Sequence, residues 1–175
     1  MPNEGLVSIF TGDGKGKTTA AIGTAVRAAG HGLKVFIVFF MKGKDYIHGE
    51  VNTLPQIPNI TLASFGQEGW VDKEKVKPED KEQARLALAK AREAVLGGKY
   101  DLVILDEVNI ALDYKLVELN EVVKLIKDKP GNVELILTGR YANPRLVQMA
   151  DLVTEMVMVK HPFSRGIKAR RGIDY

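Results

Sequence analysis

The sequence predicts an α/β fold, with a mostly parallel β-sheet covered by helices on both faces and one domain over residues 1–175. Three observations predict it. Apolar segments of strand length alternate with segments of helical periodicity, which is typical of parallel sheets with helical crossovers. The most apolar segment is almost continuous, as in a strand covered on both faces. A chain of 175 residues holds one substantial core but is short for two.

The first half of the chain contains three predicted strands and one helix. Leu6 to Thr11 is apolar and predicts the first strand. Thr18 to Ala29 is rich in alanine and is stopped by Gly30-His31-Gly32, which predicts a helix. Leu33 to Met41 is rich in Val, Ile and Phe and predicts a central strand, and Ile60 to Phe65 predicts a shorter one.

The second half continues the alternation. Pro78 to Leu96 predicts a long helix, because acidic residues occupy its first turn and two glycines follow it. Leu116 to Lys127 has apolar residues at helical spacing, and Asn143-Pro144 predicts the start of a short helix that runs to Ala150. Three apolar segments predict strands: Asp101 to Leu105, Val133 to Thr138 and Leu152 to Val159.

Composition excludes several classes of protein. The sequence has no cysteine, which excludes disulfides, thiolate metal sites and cysteine nucleophiles. The longest apolar run, Val35 to Met41, is far shorter than the roughly 20 residues of a membrane helix. Met1 to Gly5 includes Glu4 and does not resemble a secretory signal. We therefore expect a cytoplasmic protein that makes no membrane contact.

The strongest chemical signal lies between the first predicted strand and the first predicted helix. It consists of Gly12, Asp13, Gly14, Lys15, Gly16, Lys17, Thr18 and Thr19. Glycines let backbone N–H groups turn toward phosphate, and the start of a helix adds positive partial charge. Lys17 is placed to meet terminal phosphates and Thr18 to bind Mg²⁺, although the leading glycine comes one position later than in the standard pattern. The segment predicts a phosphate-binding loop (P-loop) for ATP with Mg²⁺.

Acidic residues follow a second apolar strand. Asp106 and Glu107 end the run from Leu102. In a P-loop protein the first acid, Asp106, is expected near the metal, directly or through water, and the second, Glu107, is expected to face the reacting end of the nucleotide. A strand end exposed to solvent would also carry such acids, so this prediction depends on the phosphate loop.

Three arginines are further candidates for binding the triphosphate. Arg140 follows the strand ending at Thr138, so it is expected at the carboxyl edge of the sheet, where its guanidinium could grip phosphate oxygens. A surface arginine is the alternative. Arg27 and Arg145 are weaker candidates, because each lies on a predicted helix whose solvated face would explain it.

These residues indicate a nucleotide and a metal but leave the reaction open. Glu107 could orient water for ATP hydrolysis, or an acceptor hydroxyl could take the phosphoryl group as in a small-molecule kinase; both release ADP. A third class is a nucleotide-responsive module whose basic C-terminal residues bind nucleic acid. The net charge of +3 permits it, but sparse aromatic residues among those charges argue against nucleic acid.

Several sequence blocks together resemble the P-loop type of ATP:corrinoid adenosyltransferase. The resemblance runs nearly end to end and includes the closing residues. The blocks are Gly12 to Ala21, Arg27 to Gly32, Asp106-Glu107, Thr138-Gly139-Arg140, Gly166 to Ala169 and Gly172-Ile173-Asp174-Tyr175.

The resemblance implies that Co(I) of a corrinoid such as cob(I)alamin attacks the 5′ carbon of ATP, giving adenosylcobalamin and tripolyphosphate. The loop would then bind a leaving group, and no protein nucleophile is needed. In this family, Lys17, Glu107 and Arg140 would act on the nucleotide together with Arg27. Arg145 corresponds less closely, because the segment before it is one residue longer. Thr18 and an acid of the pair Asp106-Glu107 would hold Mg²⁺.

The resemblance also implies partners. Aromatic side chains after the third strand help to displace the lower axial ligand of cobalt, and Trp70 and Phe65 are the candidates here. An electron-donating reductase and a homodimer are expected. Longer members have an N-terminal segment that covers the partner subunit's active site, whereas only Met1 to Phe10 precede the loop here.

Overall fold

A six-stranded parallel sheet organises the chain, in a computed structural model that describes residues 4–43 and 48–175. The strand order is β3-β2-β4-β5-β1-β6, and every described pairing is parallel. The strands are β1 (Val7–Thr11), β2 (Val35–Phe39), β3 (Ile60–Ser64), β4 (Leu102–Asp106), β5 (Glu134–Thr138) and β6 (Leu152–Glu155). The predicted α/β fold is confirmed.

Six α-helices connect these strands within the described part of the chain. They are α1 (Lys17–Gly30), α2 (Gly49–Thr53), α3 (Pro78–Leu96), α4 (Val108–Asp113), α5 (Leu119–Asp128) and α6 (Pro144–Met149). Short 3₁₀ helices occupy Leu54–Gln56, Lys73–Lys75 and Pro162–Arg165. No helix of residues 4–43 and 48–175 is long and apolar enough to cross a membrane.

The sheet is covered on both faces, because alternate residues of its central strands enter two separate cores. Ile37 and Ile104 pack on one face with the alanines of α1. Val38 and Leu105, each one position further along, pack on the opposite face with α3, α4 and α5. This alternation explains why the central strands read as continuous apolar runs.

The topology brings several loops to one edge. Since the strands are parallel, the segments after β1, β2, β4 and β5 all leave the sheet at its carboxyl edge. Strand β5 lies between β1 and β4. The phosphate loop after β1 therefore faces the acidic end of β4 across the end of β5, which is where ligands bind in open α/β sheets.

Four details differ from the sequence prediction. Helix α4 was not predicted, because Glu107 turns strand directly into helix in a left-handed conformation (φ 65°) and the helix is only 6 residues long. Helix α2 follows undescribed residues and was not predicted either. Strand β6 ends at Glu155 rather than Val159, because the chain then turns beneath the phosphate loop.

Helix α5 begins at Leu119, after an extended N-cap, rather than at Leu116. Residues 1–3 of the short N-terminal segment lie outside the described residues.

Candidate functional site

The phosphate loop joins β1 directly to α1. Gly12 (φ 95°) and Gly16 (φ 113°) adopt left-handed conformations that favour glycine, and Gly16 is the N-cap of the helix. No side chain caps this helix, and its first turn carries no acidic residue. The first backbone N–H groups and the positive partial charge of the helix are therefore available to an anion at the loop, with Thr18 and Thr19 in the first turn.

Lys17 lies across this loop. Its Nζ donates hydrogen bonds to the carbonyl oxygens of Gly12 (2.8 Å) and Gly14 (2.6 Å), and the residue is buried. Burial lowers the pKa of the Lys17 ammonium, and the negative charge of Glu107 partly opposes this effect. The ammonium is thus held at the centre of the loop, where the terminal phosphates of a nucleotide are expected.

The segment after β6 supports the loop from below. The Gly14 N–H donates to the Met156 carbonyl (2.7 Å), and the Met156 N–H donates to the Thr11 carbonyl (2.8 Å). A Cβ on Gly12 would lie 2.5 Å from the Met156 carbonyl oxygen. The glycine pattern therefore serves close packing beneath the loop as well as its backbone conformation.

The two predicted acids occupy different environments. Asp106 is 1% exposed, and its Oδ1 accepts a hydrogen bond from Thr138 Oγ1 (2.7 Å) while its Oδ2 accepts one from Lys42 Nζ (2.6 Å). Glu107 donates its N–H to Thr138 Oγ1 (3.0 Å). Its buried Oε2 has no hydrogen-bond partner among the described residues. Burial, and secondarily the charge of Asp106, raises the pKa of the Glu107 carboxyl.

These residues fit a magnesium ion that arrives with phosphate oxygens. Glu107 and Thr18 line one cavity. No group of three or more His, Cys, Asp or Glu could hold a metal within the described residues. A cation there would draw one or two ligands from the protein and the others from substrate and water, as Mg²⁺ does in nucleotide sites.

The cavity has a volume of about 500 Å³ and opens beside the phosphate loop. Its walls include residues 15–19, Lys42, Glu107, Trp70 and residues 172–175. The Trp70 side chain is 87% exposed, so a large aromatic surface faces the opening. Phe65, the other aromatic candidate, packs against the core on the α3 side of the sheet.

The C-terminal residues close one wall of this cavity through Asp174. Its carboxylate accepts hydrogen bonds from Lys15 Nζ, from the Arg170 N–H (2.9 Å) and from Arg170 Nε (3.0 Å). The bonds from Lys15 and then from Arg170 hold the pKa of Asp174 below its usual range. Lys15, a predicted phosphate ligand, is thus also joined to the C-terminal segment.

The candidate arginines are not equally close to the loop. Arg140 Nη2 lies 3.4 Å from the Asp13 carbonyl oxygen, so the guanidinium is at the loop. Arg27 is exposed and lies ten positions after Lys17 on α1, about 15 Å along the helix axis. Arg145 Nη1 donates to Asn120 Oδ1 (2.9 Å). The structure brings only Arg140 of these three to the loop, and the roles of Arg27 and Arg145 stay predictions.

Two contributors to the site were missed in the sequence. Lys42 directly follows the apolar run that ends at Met41, and a lysine at the carboxyl end of a central strand was an available signal. Asp174 lies in the closing block of the resemblance but was not predicted to contact the loop, because its contact with Lys15 spans 159 positions of the sequence.

The parallel sheet and the loop between β1 and α1 define the class: this is a P-loop-like α/β protein. Comparison with known proteins gives the family. A family model described as ATP:corrinoid adenosyltransferase BtuR/CobO/CobP matches residues 3–175. The chain belongs to this family.

Similar proteins cover almost the whole chain. A protein of Escherichia coli (strain K12) named corrinoid adenosyltransferase is 38% identical over 171 residues, which is 98% of this chain and 86% of that protein. A Sinorhizobium sp. protein of the same name is 37% identical over 179 residues, covering 98% of this chain and 81% of its own. Corrinoid adenosyltransferase CobA of Salmonella typhimurium is 36% identical, with 98% and 86% covered.

Proposed function

We propose that this protein transfers the 5′-deoxyadenosyl group of ATP to Co(I) of a corrinoid and releases tripolyphosphate. Membership of the adenosyltransferase family supports the reaction. The observation that carries the proposal is one cavity with the phosphate loop on one wall and the exposed Trp70 on another. Such a cavity can hold a triphosphate and present the nucleoside to a large planar macrocycle.

The proposed step is a nucleophilic displacement at carbon. The electron pair of Co(I) forms a bond to the 5′ carbon, and the carbon–oxygen bond breaks with its pair remaining on the triphosphate. Cobalt is thereby oxidised formally to Co(III), and one further negative charge develops on the leaving group. No proton is transferred, so the step requires neither a general base nor a protein nucleophile.

The phosphate loop would act on this developing charge. The Lys17 ammonium, the N-terminus of α1 and the Arg140 guanidinium are positive groups at the phosphate loop. Fixed groups of this kind stabilise charge that grows in the transition state, without reorganising as it forms. The same loop that binds a nucleotide would therefore promote departure of its whole triphosphate.

Thr18 and Glu107 would hold Mg²⁺ against the phosphate oxygens, with Asp106 behind them. Bound there, Mg²⁺ supplies positive charge that neutralises the leaving triphosphate. Two observations support this arrangement: Glu107 and Thr18 line the same cavity, and Glu107 Oε2 has no hydrogen-bond partner among the described residues.

The direct experiment uses anaerobic incubation with ATP, Mg²⁺ and chemically reduced cob(I)alamin, with analysis of the corrinoid spectrum and the phosphate product. Light-sensitive adenosylcobalamin together with tripolyphosphate would establish the reaction. ADP formation with an unchanged corrinoid would instead assign the protein to the ATPases or kinases. Lys17→Met should abolish transfer, whereas Lys124→Met on the exposed face of α5 should leave it unchanged.

On the corrinoid side, Trp70 is the stronger candidate for the contact that displaces the lower axial ligand. Its side chain is exposed at the cavity, whereas Phe65 packs into the core. Trp70→Ala should therefore slow corrinoid turnover much more than it weakens ATP binding. Equal losses of both would contradict the assignment.

We also propose that the protein forms a homodimer in the cytoplasm and that a reductase there supplies the electrons for cobalt. Strand β6 is the open edge of the sheet next to the site, and Leu152 and Val153 on it are 46% and 40% exposed. Apolar residues on an open sheet edge favour pairing with another chain. Sedimentation should show a dimer that Val153→Lys weakens, and a monomer at micromolar concentration would contradict this part of the proposal.

A further inference from the structure

The chain directs Lys42 into the site immediately after β2. Met41 takes a left-handed conformation (φ 58°), and the Lys42 N–H then donates to the Phe65 carbonyl (2.9 Å). Gly66 lies so close that a Cβ there would be 2.7 Å from the Lys42 nitrogen. The backbone at Lys42 is therefore fixed by the segment after β3, and its side chain enters the cavity beside Glu107.

Lys42 and Asp106 form a buried ion pair at the carboxyl edge of the sheet. Their side chains are 8% and 1% exposed, and Lys42 Nζ lies 2.6 Å from Asp106 Oδ2. The other carboxylate oxygen of Asp106 accepts a hydrogen bond from the buried Thr138 hydroxyl. Both oxygens of Asp106 are thus hydrogen-bonded within the protein.

The neighbouring acid is bonded differently. Glu107 lines the cavity with Thr18, and its Oε2 atom, beside Gly139, is buried without a hydrogen-bond partner in the described part of the chain. If Asp106 bound a cation, its hydrogen bond with Lys42 would have to break. The buried Lys42 ammonium would then lose that bond. Glu107 can ligate a cation without breaking any bond of its Oε2.

We propose that Lys42 is a positioning residue that keeps Asp106 within the protein's own hydrogen bonds, so that a divalent cation meets one protein carboxylate, Glu107. The inference rests on the proposed nucleotide site but not on the corrinoid reaction. With one carboxylate and the Thr18 hydroxyl, the site binds a cation weakly until phosphate oxygens supply further ligands. The metal therefore enters together with the nucleotide.

Replacement of Lys42 should increase metal affinity, which replacement of a lysine with a purely structural role would not do. Lys42→Met removes one positive charge and releases the Asp106 carboxylate beside Glu107. Two adjacent carboxylates then attract a divalent cation without nucleotide, because the repulsion from Lys42 is also gone. Nucleotide-free Lys42→Met should bind Mn²⁺ at least about tenfold more tightly than the unmodified protein.

The experiment is a Mn²⁺ titration followed by electron paramagnetic resonance, first without nucleotide. The matched control is Lys42→Met/Asp106→Asn, in which an uncharged pair of similar shape replaces the ion pair. It should return Mn²⁺ affinity to within about threefold of the unmodified protein, which assigns the gain to Asp106. A folded Lys42→Met protein with unchanged Mn²⁺ affinity would overturn the inference.

A second titration, of Mn²⁺ in the presence of ATP, keeps the test decisive if Lys42→Met alone does not fold. The double variant should bind Mn²⁺ with ATP within about threefold of the unmodified protein, whereas Glu107→Gln should weaken binding at least about tenfold. A tenfold loss in the double variant would make Asp106 a direct ligand and refute the role of Lys42. Because neither titration contains corrinoid, failure of the adenosyl transfer reaction would be seen separately.

Discussion

Gly12→Ala is the sharpest test of how the phosphate loop is built. Gly12 has φ 95°, a conformation that residues with a Cβ rarely adopt. The added Cβ would lie 2.5 Å from the Met156 carbonyl oxygen, 2.8 Å from its nitrogen and 2.9 Å from Glu155 Cγ. Two of these atoms are backbone, so the segment after β6 must move if the loop keeps its conformation.

The expected loss of stability in Gly12→Ala can be worked out from these contacts. A left-handed conformation costs a residue with a Cβ about 1–2 kcal/mol. Displacement of Met156 also weakens its hydrogen bonds with Gly14 (2.7 Å) and Thr11 (2.8 Å), each contributing about 1 kcal/mol. The free energy of unfolding should therefore fall by about 2–4 kcal/mol, and ATP affinity should fall at least about tenfold because the loop itself shifts.

Urea unfolding measures the first quantity, and calorimetric titration with ATP measures the second. Gly23→Ala is the matched control, because Gly23 lies within α1 with nothing within 4 Å of the added Cβ. It should raise the free energy of unfolding by about 1 kcal/mol, as expected for replacement of a helical glycine, and leave ATP binding unchanged. If Gly12→Ala matched the unmodified protein in both assays, the packing beneath the loop would not hold its conformation.

Two further predictions follow from shifted pKa values. Burial lowers the pKa of Lys17 from 10.5, and triphosphate favours its charged form, so tripolyphosphate affinity should fall as pH rises through that lowered pKa. Calorimetry in buffers of different ionisation enthalpy should show proton uptake on binding, and uptake that persists in Lys17→Met would exclude Lys17 as its source. The bonds from Lys15 and Arg170 lower the pKa of Asp174. The stabilisation that these bonds give the C-terminal segment is therefore complete above the unfolded pKa of 3.8 and is lost as pH falls through the folded pKa. Asp174→Asn should therefore speed release of the C-terminal residues by carboxypeptidase at pH 7, while an unchanged rate would show that this ion pair does not hold the tail.

The layers of the fold could be predicted from the sequence because they depend on local patterns. The continuous apolar run around Ile37 indicates a strand covered on both faces, and the structure places its alternate residues in two cores. Helix α4 could not be predicted from the sequence, because a helix of 6 residues contains too few turns for a periodic apolar pattern. Its start depends on the left-handed Glu107, whose conformation has no local sequence signal.

Single segments of the site could be predicted from the sequence, but the contacts that folding makes between them could not. The segment containing Lys17 is contiguous, and its glycines and helix start carry their own physical meaning. The hydrogen bonding that distinguishes Asp106 from Glu107 comes from Lys42 and Thr138, which lie after two other strands. The sequence does not show which hydrogen bonds each acid makes, because these depend on the parallel register of β2, β4 and β5.

The charges around the phosphate loop explain why its specificity would depend on the metal. Lys15 is joined to Asp174 and Lys42 to Asp106, so two of the positive side chains at the cavity are balanced within the protein. Arg140 lies 3.8 Å from the Asp13 carboxylate, which offsets part of its charge at the surface. Lys17 and the helix start would then face the several negative charges of a triphosphate, and Glu107 would add another of the same sign. Under the proposed function, a divalent cation between Glu107 and the phosphates would offset this repulsion, so a triphosphate should bind more weakly without the cation.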